Sequence, residues 1–189
     1  MASNLRQDQL SAQLLEIIRT KGLHRLDTPI ELASGAMSAD FVDGKEALAA
    51  WSDLRVAASA IVETVHNAGH RFNAVGGLTL GADALAVGIA AVADCSWFIV
   101  RKSPKGRGTR RQIEGARIGR SDQVLLVDDA VTTGGSIFQA YDIVAHSGAA
   151  IVAAVTLVDR GENAGPKFAD LGCAYFPMTT YKSLGIDPL

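Results

Sequence analysis

Residues 124–136 read VLLVDDAVTTGGS. Four apolar residues run unbroken into two adjacent carboxylates, Asp128 and Asp129, and then into two threonines, two glycines and a serine. A short continuous apolar run is the pattern of a strand buried on both faces, as in a parallel sheet covered by helices. The next segment, SIFQAYDIVAHSG (136–148), reads as a helix, so Thr132, Thr133, Gly134, Gly135 and Ser136 sit at a helix N-terminus. Amides there lack intrahelical partners and the dipole is positive, which makes an anion cradle; glycines let the backbone approach a phosphate closely. The carboxylates would repel a phosphate they touched, so they must face another part of the ligand. Neighbouring hydroxyls suit them, because an ionised aspartate only accepts hydrogen bonds. The stretch therefore reads as a grip on a ribose 5-phosphate. By itself it also suits a helix-capping network or an acidic metal-binding pair. No Gly-Lys-Thr/Ser follows, so it is not a P-loop.

Around this strand the chain alternates. QVLLVDDA (123–130), FNAVGG (72–77), WFIVRK (97–102) and AAIVAAVTLVDR (149–160) read as strands. ADALAVGIAAVAD (82–94) reads as a helix, as do residues 4–20, and the alanine-rich 45–69 reads as one long helix. Strands and helices in this order predict an α/β fold with a parallel, doubly wound sheet flanked by helices. Ligands of such sheets bind beyond the carboxyl ends of the strands. Four of those ends carry chemistry: Gly76–Gly81, Arg101–Lys105, Asp128–Ser136 and Asp159–Arg160.

The 189 residues, 48% hydrophobic and 20% charged, suit one globular core. No apolar run reaches membrane-spanning length and no secretory pattern opens the chain, so no membrane partner and a cytoplasmic location are expected. Cys95 and Cys173 are far apart and read as reduced core thiols. The net charge of −2 hides an asymmetry. Residues 101–120 hold eight bases and one acid, Glu114, while the rest of the chain holds ten bases and nineteen acids. A cationic segment on an acidic body points to an anionic ligand. Residues 101–120 contain no aromatics, which argues against nucleic acid as a partner. His66 and His70 read as a solvated helix end, and Trp51 and Trp97 as core or interface anchors.

Taken together, VLLVDDAVTTGGS resembles the phosphoribosyl-diphosphate (PRPP) motif of type I phosphoribosyltransferases. FIVRKSPKGRGTRRQIEGA (98–116) resembles the mobile catalytic loop of the orotate phosphoribosyltransferase family. ELASGAMSADFVDGK (31–45) and VGGLTLGADALA (75–86) resemble that family's base-binding segment and diphosphate-side loop. The resemblance implies the type I fold as one domain over 1–189, with a small hood made mainly of 22–44 plus the C-terminal segment 172–189. It implies transfer of a phosphoribosyl group from PRPP to orotate, giving orotidine 5′-monophosphate and diphosphate. Mg²⁺ would be held mainly through PRPP, near Asp128 and Asp129, with no dedicated metal site. Asp128 and Asp129 would hold the ribose hydroxyls, and Thr132 to Ser136 the 5-phosphate. Arg101, Lys102 and Lys105 would meet the diphosphate, with Lys102, Lys105 and Arg107 as the catalytic charge stabilisers. Phe41, Thr132 and Arg160 would face the base, Arg160 pairing with the orotate carboxylate. A homodimer sharing the 102–115 loop across subunits is implied, with hinges at Gly106, Gly108 and Gly115.

Three positions depart from the family pattern. Ala33 and Leu80 stand where many or some members have lysine, and Arg107 replaces a histidine. These departures keep open a phosphoribosyltransferase for another nucleobase, or a PRPP-sensing regulator without turnover.

Overall fold

The computed structural model describes residues 2–32, 35–104 and 111–189, with side chains from Leu5 onward. The chain opens with α1 (Ala2–Ile17), which runs into a π-helical turn (Ile18–Gly22). A two-stranded antiparallel sheet follows, β1 (Leu23–Glu31) against β2 (Met37–Val42). Next come α2 (Gly44–Ala47), α3 (Trp51–Asn67), β3 (Ala74–Leu78), α4 (Asp83–Ala93), β4 (Ser96–Val100) and β5 (Ile113–Gly115). The chain then forms β6 (Gln123–Val131), α5 (Gly135–His146), β7 (Ala150–Asp159), α6 (Ala164–Asp170), β8 (Ala174–Thr180) and α7 (Tyr181–Leu184).

The main sheet has the order β5-β4-β3-β6-β7-β8. All its neighbours are parallel except β5, which lies antiparallel to β4. After β3 the chain first adds β4 on one side and later places β6 on the other, so the order reverses between β3 and β6. That is the switch point at which open α/β sheets bind ligands.

The pleat of β6 shows why its run is apolar throughout. Leu125 and Val127 point into one core with Leu14, Ile61, Val65 and Ile89 of α1, α3 and α4. Val124 and Leu126 point into the other with Ile137 and Val144 of α5 and Phe168 of α6. Helices therefore cover both faces, as the unbroken apolar runs predict. The glycines of β3 serve packing: a Cβ on Gly77 would run into the Val127 carbonyl oxygen, and one on Gly76 into that of Phe98.

Several expectations need correction. Residues 45–69 are not one helix. The Asp43 side chain caps α2 by accepting from the amides of Lys45 and Glu46, at 2.9 and 3.1 Å. The chain then turns so that Leu48 is buried, and Ala50 is extended before α3 begins. Alanine content favours helix through this stretch, but the cap and the buried Leu48 decide.

Residues 172–189 do not all join the hood. Ala174–Thr180 pairs with β7 as the edge strand of the main sheet, where Pro177 is tolerated because an edge has spare donors. Only α7 turns back toward the start of β1, its Ser183 carbonyl accepting from Arg19 at 3.0 Å. The basic segment is also not loop throughout: Ile113–Gly115 pairs with Phe98–Val100, so Gly115 belongs to a strand rather than to a hinge. Trp51 and Trp97 are exposed, which removes the core reading for both. Cys95 and Cys173 are free thiols, pushed up to about 11 chiefly by burial.

Candidate active site

At the carboxyl ends of β3, β4, β6 and β7, below the β1–β2 hairpin, lies a cavity of about 660 Å³. Its walls differ in chemistry. Leu32, Phe41 and Val42 of the hood segment and Leu80 after β3 line part of it; Arg101, Lys102, Asp128, Asp129, Thr132 and Ser136 line another. Arg160 also reaches it. Thr133, Gly134 and Gly135 complete the turn between Thr132 and Ser136 without lining the cavity. Lys105 and Arg107, like Ala33, lie outside the described residues.

Asp128 leaves β6 only 4% exposed. Its Oδ1 accepts the Asp129 amide at 3.0 Å, while Oδ2 is buried with no partner among the described residues. Burial, followed by the Asp129 charge, pushes Asp128 up to about 8. Asp129 turns its Oδ1 to the Ala130 amide at 2.8 Å and its Oδ2 to Lys45 Nζ at 3.0 Å. Gly81 closes over the pair: a Cβ there would strike Asp129 Oδ1 and lie 2.8 Å from Asp128 Oδ1. The Thr79–Leu80 peptide beside it is cis.

The turn after β6 gives α5 an open end. Gly134 has φ 86°, the left-handed region that glycine enters without penalty, and stands as the N-cap with no side-chain cap. The first amides of α5 thus remain available to an anion. Across the cavity, the Arg101 amide donates to the Gln112 carbonyl at 2.7 Å, and Arg101 Nε is buried without a partner among the described residues. Gln139 of α5 donates to the Lys102 carbonyl at 2.8 Å, fixing the start of the cationic segment beside α5.

Arg160 is 3% exposed and does not pair with Asp159 or Glu162. Its Nη1 donates to the Asp40 carbonyl at 2.7 Å and its Nη2 to Ser38 Oγ at 3.3 Å, tying β7 to the hood. Nε is left buried and unpartnered among the described residues. Burial pulls the guanidinium below its ordinary value, although Asp40 opposes this. Asp159 instead accepts from the Gly161 amide and from the Tyr175 hydroxyl.

Sequence reasoning missed Lys45, Ser38, Asp40 and Gln139. Alanine-rich composition places Lys45 at the start of one long helix, and only the spacing Asp43-Gly44-Lys45, a cap followed by a lysine, signals its position. The others act through contacts across more than 35 residues, which no local pattern announces. Among the described residues, no group of three or more His, Cys, Asp or Glu side chains could hold a metal. The donor set that exists, a carboxylate pair with one orphan oxygen, fits an ion whose remaining ligands come from a bound phosphate compound.

Comparison with known proteins places the sequence and the fold. The Phosphoribosyl transferase domain model matches residues 46–174. The orotate phosphoribosyltransferase of Pyrococcus furiosus is 37% identical over 153 residues, 81% of this chain and 84% of that protein. That of Rhodopseudomonas palustris TIE-1 is 37% identical over 175 residues, 87% of this chain and 90% of that protein. The crystal structure of Mycobacterium tuberculosis orotate phosphoribosyltransferase in complex with PRPP superposes with a TM-score of 0.77 at 29% identity, covering 94% of this chain and 99% of that one. With the domain spanning most of the sheet and identity sustained along the chain, this protein belongs to the orotate phosphoribosyltransferase family.

Proposed function

We propose that this chain transfers the phosphoribosyl group of PRPP to orotate, giving orotidine 5′-monophosphate and diphosphate. The observation that carries this reading is the convergence of Asp128, Asp129, Ser136, Arg101 and Arg160 on one cavity at the switch point. Asp128 and Asp129 hold the ribose hydroxyls, and Thr132 to Ser136 at the open end of α5 take the 5-phosphate. The base lies under Phe41 and Thr132, with its carboxylate toward the Nε edge of Arg160. That edge stays available while the other nitrogens keep the hood in place.

Displacement at ribose C1 passes through a cation-like transition state. Negative charge grows on the departing diphosphate, where Arg101 and Lys102 stand, and Lys105 and Arg107 are assigned the same task. Bound Mg²⁺, held through PRPP beside Asp128 and Asp129, would neutralise part of that charge. Orotate N1 is acidic enough to attack as an anion, so no general base is required. The hood and the 102–115 loop are assigned the exclusion of water that would otherwise capture the ribosyl cation. A homodimer sharing the 102–115 loop is part of the proposal, and exposed Trp97 of β4 together with exposed Val87 and Val92 of α4, which packs on β4, offers apolar surface for it. No described helix is long and apolar enough to cross a membrane; the cytoplasm is the proposed location.

The test is a panel of bases with PRPP and Mg²⁺. Consumption of orotate with release of diphosphate is expected. Turnover of uracil, adenine or xanthine with orotate untouched overturns the choice of base. PRPP binding with silence toward every base marks a sensor rather than an enzyme.

A further inference from the structure

Lys45 ends the 31–45 segment that resembles the family's base-binding stretch, and that resemblance gives it no individual role. It projects from α2, at the foot of the hood, into the cavity wall. Its Nζ lies 3.0 Å from Asp129 Oδ2 and 3.5 Å from Asp43 Oδ1. Burial alone would lower its affinity for a proton, but the Asp129 and Asp43 carboxylates outweigh that and hold it above the ordinary lysine value. Its helix is fixed against β6. Asp43 caps α2, and a Cβ on Gly44 would sit 3.0 Å from the Asp129 Cβ. Asp129 Oδ1 is already committed to the Ala130 amide, so the Lys45 contact determines where the second oxygen points.

The charge balance of the site gives that contact a purpose. A phosphorylated, diphosphorylated sugar carries several negative charges, and two adjacent carboxylates should repel it. The Lys45 ammonium, 3.0 Å from Asp129 Oδ2, sets a positive charge against that carboxylate before the donor arrives.

We propose that Lys45 is a positioning residue for the phosphorylated donor, fixing the Asp129 carboxylate in its hydroxyl-accepting orientation and offsetting its charge against the incoming polyanion. The inference rests on the functional reading above. Lys45 is half exposed, so its ion pair adds little to folding stability. Its removal is read in donor binding instead.

The experiment compares full-length wild type, Lys45→Met and Lys45→Arg by calorimetric titration with PRPP and Mg²⁺, by steady-state kinetics with orotate, and by thermal melting. Lys45→Met should weaken PRPP binding and raise its KM about tenfold, the scale of one charge-assisted hydrogen bond. KM for orotate should change less than about twofold and the melting midpoint by less than about 3 °C. Lys45→Arg should recover most of the donor affinity. Unchanged PRPP affinity in Lys45→Met overturns the proposal. So does an equal rise in both KM values with a lowered midpoint, which marks a purely structural residue, and so does an arginine variant no better than methionine. Wild type that binds no PRPP overturns the functional reading itself and this inference with it.

Discussion

Replacing Asp128 by asparagine should change how stability depends on pH, and the expected size follows from burial. An aspartate ordinarily titrates at 3.8; here burial and the neighbouring Asp129 push it up to about 8. Between those values the folded chain holds a proton that the unfolded chain has released, so stability falls as pH rises through the window. The loss begins above about pH 4 and is complete above about pH 8. Each pH unit is worth about 1.4 kcal/mol, which sets an upper limit of about 6 kcal/mol. Water entering the open side of the cavity brings this nearer 2–3 kcal/mol. The substituted amide would keep an oxygen for the Asp129 N–H, now accepted at 3.0 Å, and would not titrate. Differential scanning calorimetry of ligand-free wild type and Asp128→Asn from pH 5 to pH 8.5 should therefore show the variant gaining on wild type as pH rises. The gain should be roughly 5–10 °C for a chain of this size. Parallel melting curves would refute the reasoning, as would a wild type that gains on the variant with rising pH.

Other expectations concern the ligands. Arg160→Met should raise KM for orotate far more than for PRPP. It should also cost about 2 kcal/mol in stability, one for each hydrogen bond lost to Ser38 and Asp40; hydrogen exchange in β1 and β2 would show the freed hood. Gly81→Ala should depress kcat/KM for PRPP by roughly 10²-fold, because the new methyl displaces Asp129. Lys102→Ala should lower kcat by roughly 10²–10³-fold with modest loss of PRPP affinity, measured by single-turnover kinetics.

How far the sequence could be read depended on whether the information was local. The strand, turn and helix of 123–146 were legible because one apolar run, a carboxylate pair and a Thr-Gly turn all lie within 24 residues. The parallel sheet followed from β3, β4, β6 and β7, whose strands are apolar runs or glycine-rich. β8 was hidden by Pro177, which ordinarily argues against a strand and is acceptable here because β8 is an edge. β5 was hidden by its three-residue length inside a charged stretch. At the site, Asp128, Asp129, Ser136, Arg101 and Arg160 were named from residue type and strand-end position, and the cavity gathers all five. That Arg160 also straps the hood could not be read, because Ser38 and Asp40 are 122 and 120 residues away. Lys45 was obscured by helix propensity, which gave no hint that Asp43 would cut a four-residue helix from its neighbour.

The floor and roof of the cavity differ in how freely they can be rebuilt. In the floor, Gly77 and Gly81 leave no room for even a methyl group against Val127 or the carboxylates. The roof is a partly exposed hairpin whose cavity-facing Leu32 and Phe41 carry no such backbone constraint, and Leu80, 74% exposed, stands free at the rim. Redesign for a different acceptor therefore has a natural division of labour: libraries at 32, 41 and 80 would explore new heterocycles while the glycines and carboxylates beneath are inherited intact.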